Sequence, residues 1–349
     1  MKKVLSVFLA MLFCILTVSL AVSAADGVYP VEEKFSQNGP NEVETMTFDS
    51  GEAAYTYYKI WYPKNITASS GTYPVVVYCN GTGMTDADAT TVNLMTALAS
   101  WGYIAISNDH ESSGNADSAS KGLDLLLALN EDPSSIFYNK VNVDAIGICG
   151  FSQGGSGAIN GASEGKQPNS DKFKSICALS APHKGLAASI LQNTPYDASK
   201  VSVPAFLVAG TGSTDAGSAA SSGICPLGTG LIENMKQINN DNVVIGRYTG
   251  ADHGTIQASA QPYVIAWFNW TLLNDSFSAT AFVGEDAELY RNGNWQDVYN
   301  KQSEDLPENP DPYNPNSGEN MAATKVLLKV AKLLAKFLAI LGKLFSIGL

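Results

Sequence analysis

The stretch Val143-Asp144-Ala145-Ile146-Gly147-Ile148-Cys149-Gly150-Phe151-Ser152-Gln153-Gly154-Gly155 is an apolar run that breaks abruptly into a serine held between glycines. A short continuous apolar run of this kind is consistent with a buried strand, and residues 150–154 form a G-x-S-x-G turn. Where such a turn follows a strand and opens a helix, it lifts the serine hydroxyl to the tip of a sheet. Strand and helix then nearly touch, so the neighbouring side chains must be small. Gly155, Gly157 and Ala158 meet that need. Ser152 is therefore the candidate nucleophile.

The same rhythm extends on both sides. Continuous apolar runs at 74–79 and 102–107 flank a helical stretch from Thr91 to Trp101, and a helix over 119–129 precedes the strand that ends at Phe151. A helix starts at Gln153, and strands follow at 173–179, 203–209 and 243–248, with a helix over 231–238 between the last two. Apolar strands alternating with helices predict an α/β fold, a doubly wound, mostly parallel sheet whose sites lie at the carboxyl ends of its strands. Residues 43–48 and 55–62 alternate apolar with polar and are predicted as two antiparallel edge strands closed by Pro63. A last helix is predicted to open at Pro262 and to run to Leu273.

The loops after these strands hold the remaining candidates. Asp215 falls in the glycine-rich loop 210–215, and His253 falls in the loop 250–254 after the strand that ends at Tyr248. The chain order serine, aspartate, histidine, each after its own strand, is the α/β-hydrolase arrangement. In it, His253 takes the proton of Ser152, and Asp215 holds the imidazole in the right tautomer. His110 and His183 also follow strands, and Asp252 and Asp241 compete with Asp215 for the acid position. Two backbone N–H groups would complete an oxyanion hole. Gln153, next after the serine, and Thr82, in the loop 80–83 after the strand at 74–79, are the candidates.

Residues 128–144, together with Trp101-Gly102-Tyr103, Val203-Pro204 and the histidine loop, resemble the bacterial cutinases and poly(ethylene terephthalate) hydrolases over roughly 52–273. The resemblance implies a serine esterase without a lid domain, with an open cleft able to take polymer chains. It also implies the triad Ser152, Asp215 and His253, with Thr82 and Gln153 at the oxyanion positions. Two positions depart from the family pattern. Thr82 stands where an aromatic ring is usual, and the loop Ser180-Ala181-Pro182-His183 lacks the tryptophan often found there. A small-ester or carbohydrate-ester deacetylase, and a silent hydrolase-like binding domain, are the rival readings.

The chain divides into four parts. Residues 1–25 carry Lys2 and Lys3, then an apolar stretch and small residues at 22–25, the pattern of a secretory signal peptide. Residues 26–300 are the predicted catalytic domain and 301–320 a Pro- and Asn-rich acidic linker. Residues 321–349 hold Lys325, Lys329, Lys332, Lys336 and Lys343, which fall on one stripe of an otherwise apolar helix. That pattern predicts a binder of membrane surfaces; a helix that self-associates or packs on the domain is the alternative.

The total charge of −12 conceals an asymmetry. Seven lysines and no acids lie in 1–25 and 321–349, so residues 26–320 carry −19. Nucleic acid is therefore excluded as a partner of the body. Cys79, Cys149 and Cys177 fall in predicted core strands, and no Cys or His spacing suggests a metal or other cofactor.

Overall fold

The computed structural model describes residues 27–189, 192–218, 221–284 and 286–307. The expected signal peptide at 1–25, the part of the expected linker beyond 307 and the expected lysine-striped helix at 321–349 lie outside the described residues. Nine strands form the central sheet: β1 (Val43–Asp49), β2 (Tyr57–Pro63), β3 (Tyr73–Cys79), β4 (Ile104–Asn108), β5 (Val141–Phe151), β6 (Ser175–Leu179), β7 (Ala205–Gly210), β10 (Val243–Tyr248) and β11 (Trp295–Asn300). A small hairpin, β8 (Gly217–Ser218) with β9 (Ser221–Ser222), stands apart from it. The order across the sheet is β1-β2-β4-β3-β5-β6-β7-β10-β11. The six strands from β4 to β10 run parallel, and β1, β2 and β11 join antiparallel.

Helices cover both faces, which is why the parallel strands read as unbroken apolar runs. On one face α1 (Pro30–Phe35), α2 (Ala89–Ser100) and α6 (Ile256–Leu273) bury Phe35, Leu94, Leu98, Tyr263, Trp267 and Phe268 against Cys149, Cys177 and Phe206 of the sheet. On the other, α3 (Asp117–Glu131) and α4 (Gln153–Ala162) bury Leu123, Leu126 and Ile159 against Val77, Ile106 and Ile148. Fully burying such a side chain stabilises by roughly 1.5–3 kcal/mol, and this is the main force that stacks the layers.

Two expectations are corrected. β2 is not an edge, because it pairs with β1 on one side and β4 on the other. Its alternation arises instead from a half-covered antiparallel margin. Pro262 lies inside α6, which begins at Ile256. The proline removes one backbone hydrogen bond, a cost of about 3 kcal/mol, but burial of Ile256, Tyr263, Trp267 and Phe268 outweighs it. At the end of the fold the structure adds a strand that the sequence did not predict. β11 pairs with β10 and is tied to it by a buried ion pair, in which Arg247 Nε donates to Asp297 Oδ2 at 2.7 Å. Leu306 also packs on the core, although its sequence places it in the acidic linker.

Candidate active site

The serine turn is built as its glycines require. Ser152 has φ 55° and ψ −126°, a backbone conformation rarely adopted by a residue with a side chain, and it separates β5 from α4. A Cβ on Gly150 would lie 1.9 Å from the carbonyl oxygen of Gly154, and one on Gly154 would lie 2.0 Å from that of Cys79. Neither position tolerates a side chain, so strand and helix close tightly beneath the hydroxyl. The N–H of Ser152 donates to Leu179 O at 2.9 Å, which ties the turn to β6.

Three of the expected residues meet there. His253 Nε2 lies 2.9 Å from Ser152 Oγ, and His253 Nδ1 lies 2.7 Å from Asp215 Oδ1. The imidazole is 18% exposed and the Asp215 side chain fully buried, so the chain of hydrogen bonds runs from the surface inward. The Phe151 ring lies 4.7 Å from the imidazole, centre to centre, and covers it. The second oxygen of Asp215 is also occupied: Oδ2 accepts from Ser180 Oγ at 2.6 Å and from the N–H of Gly210 at 2.7 Å. Asp215 sits not in an open loop but in a short helical turn, α5 (Ser213–Ala216).

The loop after β3 closes the other side. A Cβ on Gly81 would come within 3.3 Å of Ser152 Cβ, so the residue before Thr82 touches the serine itself. Beneath the loop, Asn80 Nδ2 donates to Asn108 O at 2.7 Å and His110 O at 3.1 Å, and its Oδ1 accepts from Ser107 Oγ. Gly83 N donates to Glu111 O at 2.8 Å. Among the described residues, the N–H groups of Thr82 and Gln153 have no acceptor within the protein. The Gln153 side chain is buried; it accepts from Ser112 Oγ at 2.8 Å and donates to Gln192 O at 3.2 Å.

The competing residues are placed elsewhere. His110 Nδ1 accepts from the N–H of Ser112 at 2.9 Å, and His183 Nε2 lies 3.3 Å from Ser222 Oγ. Asp241 is exposed and precedes β10, at the opposite end of the sheet from Ser152. Asp252 is close to the site but contacts backbone instead of the imidazole. The four described cysteines are buried and unpaired.

Residues 25–297 match the family described as PETase: PET hydrolase-like. The chain belongs to the PET hydrolase-like family. This is an α/β-hydrolase family related to cutinases, and its members are ester hydrolases. The mostly parallel sheet and the serine turn between β5 and α4 agree with that membership. No curated protein matches the chain.

Two features of this PET hydrolase-like site were not read from the sequence. Ser180 has a positive φ of 45°, adopted where its hydroxyl reaches Asp215. Asp252, a competitor for the acid position in the sequence, does not face the His253 ring but holds its backbone.

Proposed function

We propose that the chain is a secreted serine carboxylic-ester hydrolase that works through an acyl-enzyme intermediate. The observation that carries this reading is the unbroken series Ser152 Oγ, His253, Asp215, with spacings of 2.9 and 2.7 Å. Ser152 attacks the ester carbonyl while His253 Nε2 takes its proton. Asp215 accepts the Nδ1–H and compensates the charge of the imidazolium. The tetrahedral oxyanion rests on the N–H groups of Thr82 and Gln153, each such donor contributing about 3 kcal/mol. His253 then returns the proton to the departing alcohol. In the second half, His253 deprotonates a water that attacks the acyl group and frees Ser152.

Hydrolysis of p-nitrophenyl esters across increasing acyl length tests this reading. A burst of about one p-nitrophenol per enzyme, followed by steady turnover, is the expected result. Activity confined to the acetyl ester would favour the deacetylase reading, and no turnover at any length would favour the silent binding domain. The missing aromatic ring at Thr82 supports a preference for short acyl groups.

Residues 1–25 support secretion, and the lysine stripe of 321–349 supports attachment to an anionic lipid surface. A body of −19 is repelled by such a surface, so attachment falls to the oppositely charged segment. Each lysine near the surface contributes roughly 1 kcal/mol. The mature chain is expected to sediment with anionic vesicles, less so at high salt. A version ending at Asn320 is expected to stay in solution and keep its esterase activity. Equal sedimentation of both would overturn the assignment.

A further inference from the structure

Asp252 stands between the two loops that carry Asp215 and His253. Its Oδ1 accepts from the N–H groups of Thr214 at 3.0 Å, Asp215 at 3.1 Å and His253 at 2.8 Å. Its Oδ2 accepts from Thr214 Oγ1 at 2.8 Å. One carboxylate thus receives the backbone amide of the candidate acid and that of the candidate base. The loops have been brought close for this contact: a Cβ on Gly212 would lie 2.3 Å from Asp252 Cγ, and one on Gly210 would lie 2.3 Å from Ala251 O. The glycine-rich character of 210–212 follows from that approach. Further contacts, Gly212 N to Ala251 O at 2.8 Å and Gly250 N to Thr211 Oγ1 at 2.9 Å, join the loops below residue 214. At the backbone of Asp215 and His253 themselves, Asp252 makes the link.

We infer that Asp252 is a positioning residue, which locks the backbone of Asp215 to that of His253 and so fixes the distance between carboxylate and imidazole. The inference rests on the proposed roles of Asp215 and His253. A carboxylate suits the task because it is acceptor-only and offers several lone pairs to converging donors. Burial pushes the Asp252 carboxyl up, but donation from His253, Thr214 and Asp215 more than offsets this and holds it below the ordinary aspartate value. It therefore stays an acceptor throughout the neutral range. Without it, three N–H groups turn to water, and the two loops are free to separate at the level of the relay. A misplacement of about 1 Å costs on the order of a hundredfold in rate.

The test compares Asp252→Ala, Asp252→Asn and Gly212→Ala in the otherwise intact chain, with p-nitrophenyl acetate as the probe. Asp252→Ala is expected to lower kcat by about ten- to a hundredfold while KM stays within about twofold, since the ester itself does not touch Asp252. The low-field proton resonance of His253 Nδ1–H should broaden or shift in the same variant. Asp252→Asn keeps an Oδ1 for all three N–H donors and is expected to restore kcat to within about threefold of the parent. Gly212→Ala drives a methyl into Asp252 Cγ from the other side and should lower kcat by a factor like that of Asp252→Ala, which settles the matter if the latter fails to fold.

Unchanged kcat in both alanine variants, or equal losses in the alanine and asparagine variants, would overturn the inference. Ser152→Ala separates it from its premise. An inactive Ser152→Ala beside a fully active Asp252→Ala rejects the positioning role alone, whereas an active Ser152→Ala rejects the mechanism beneath it.

Discussion

Ser152→Ala is expected to lower ester turnover by about a million-fold and to abolish the burst of acylation, with the melting temperature little changed. The size follows from what is removed. With no hydroxyl at 152 there is no nucleophile for His253 to activate, and the acyl-enzyme route closes altogether. What survives is the oxyanion donors and substrate binding, which by themselves retain roughly a thousand- to ten-thousandfold over water. Stability is a separate matter. The tight junction of β5 and α4 depends on Gly150 and Gly154, whose absent side chains admit the carbonyls of Gly154 and Cys79. The Ser152 N–H bond to Leu179 O is a backbone bond and survives the substitution. Among the described residues, the oxygen that alanine removes is hydrogen-bonded to His253 alone. A measurable burst in the variant, or a rate within a hundredfold of the parent, would overturn the nucleophile assignment.

The core of the fold was legible because parallel strands buried on both faces must be apolar throughout. β3, β5 and β10 were each placed to within about two residues at their C-terminal ends. The margins were harder to read. β11 holds Gln296, Asp297 and Asn300, too polar a run to be predicted as a strand. The partner Arg247, fifty residues earlier, pairs with Asp297 and lets its charge be buried. Pro262 misled for a related reason: local preference puts proline in a first turn, and tertiary burial carried the helix across it.

The site divides in the same way. Ser152 was visible from its glycines, and Asp215 and His253 from their order and their place after strands; the structure brings all three together. Ser180 and Asp252 were not visible in their present roles, because each acts through another residue across a long gap in sequence. Ser180 reaches Asp215 from thirty-five residues away, and Asp252 reaches it from thirty-seven. A signal did exist in the spacing of Gly210 and Gly212, which marks a close approach but does not name the partner.

His253→Ala is expected to match Ser152→Ala, with a loss on the order of a million-fold, because a serine hydroxyl without a base is a poor nucleophile. The comparison that gives this result its force is with the other two histidines. His110 is held by the N–H of Ser112, and its ring meets the Tyr55 ring edge-on, with 5.1 Å between centres. His183 faces Ser222. Neither is bonded to Ser152 or Asp215, so His110→Ala and His183→Ala should keep most of the activity. The pH profile supplies a second criterion. Only a neutral imidazole can accept the serine proton, so activity should rise with pH as the base loses its proton. Burial holds His183 below the ordinary histidine value, against an opposing pull from Glu233. Were His183 the base, the rising limb would lie in the more acidic range, and removing it would abolish the limb together with the activity. The expected finding is that His183→Ala leaves the limb where it stands and that no limb can be measured in His253→Ala. A dead His183→Ala beside an active His253→Ala would reject the relay and move the base to the Ser180–His183 loop.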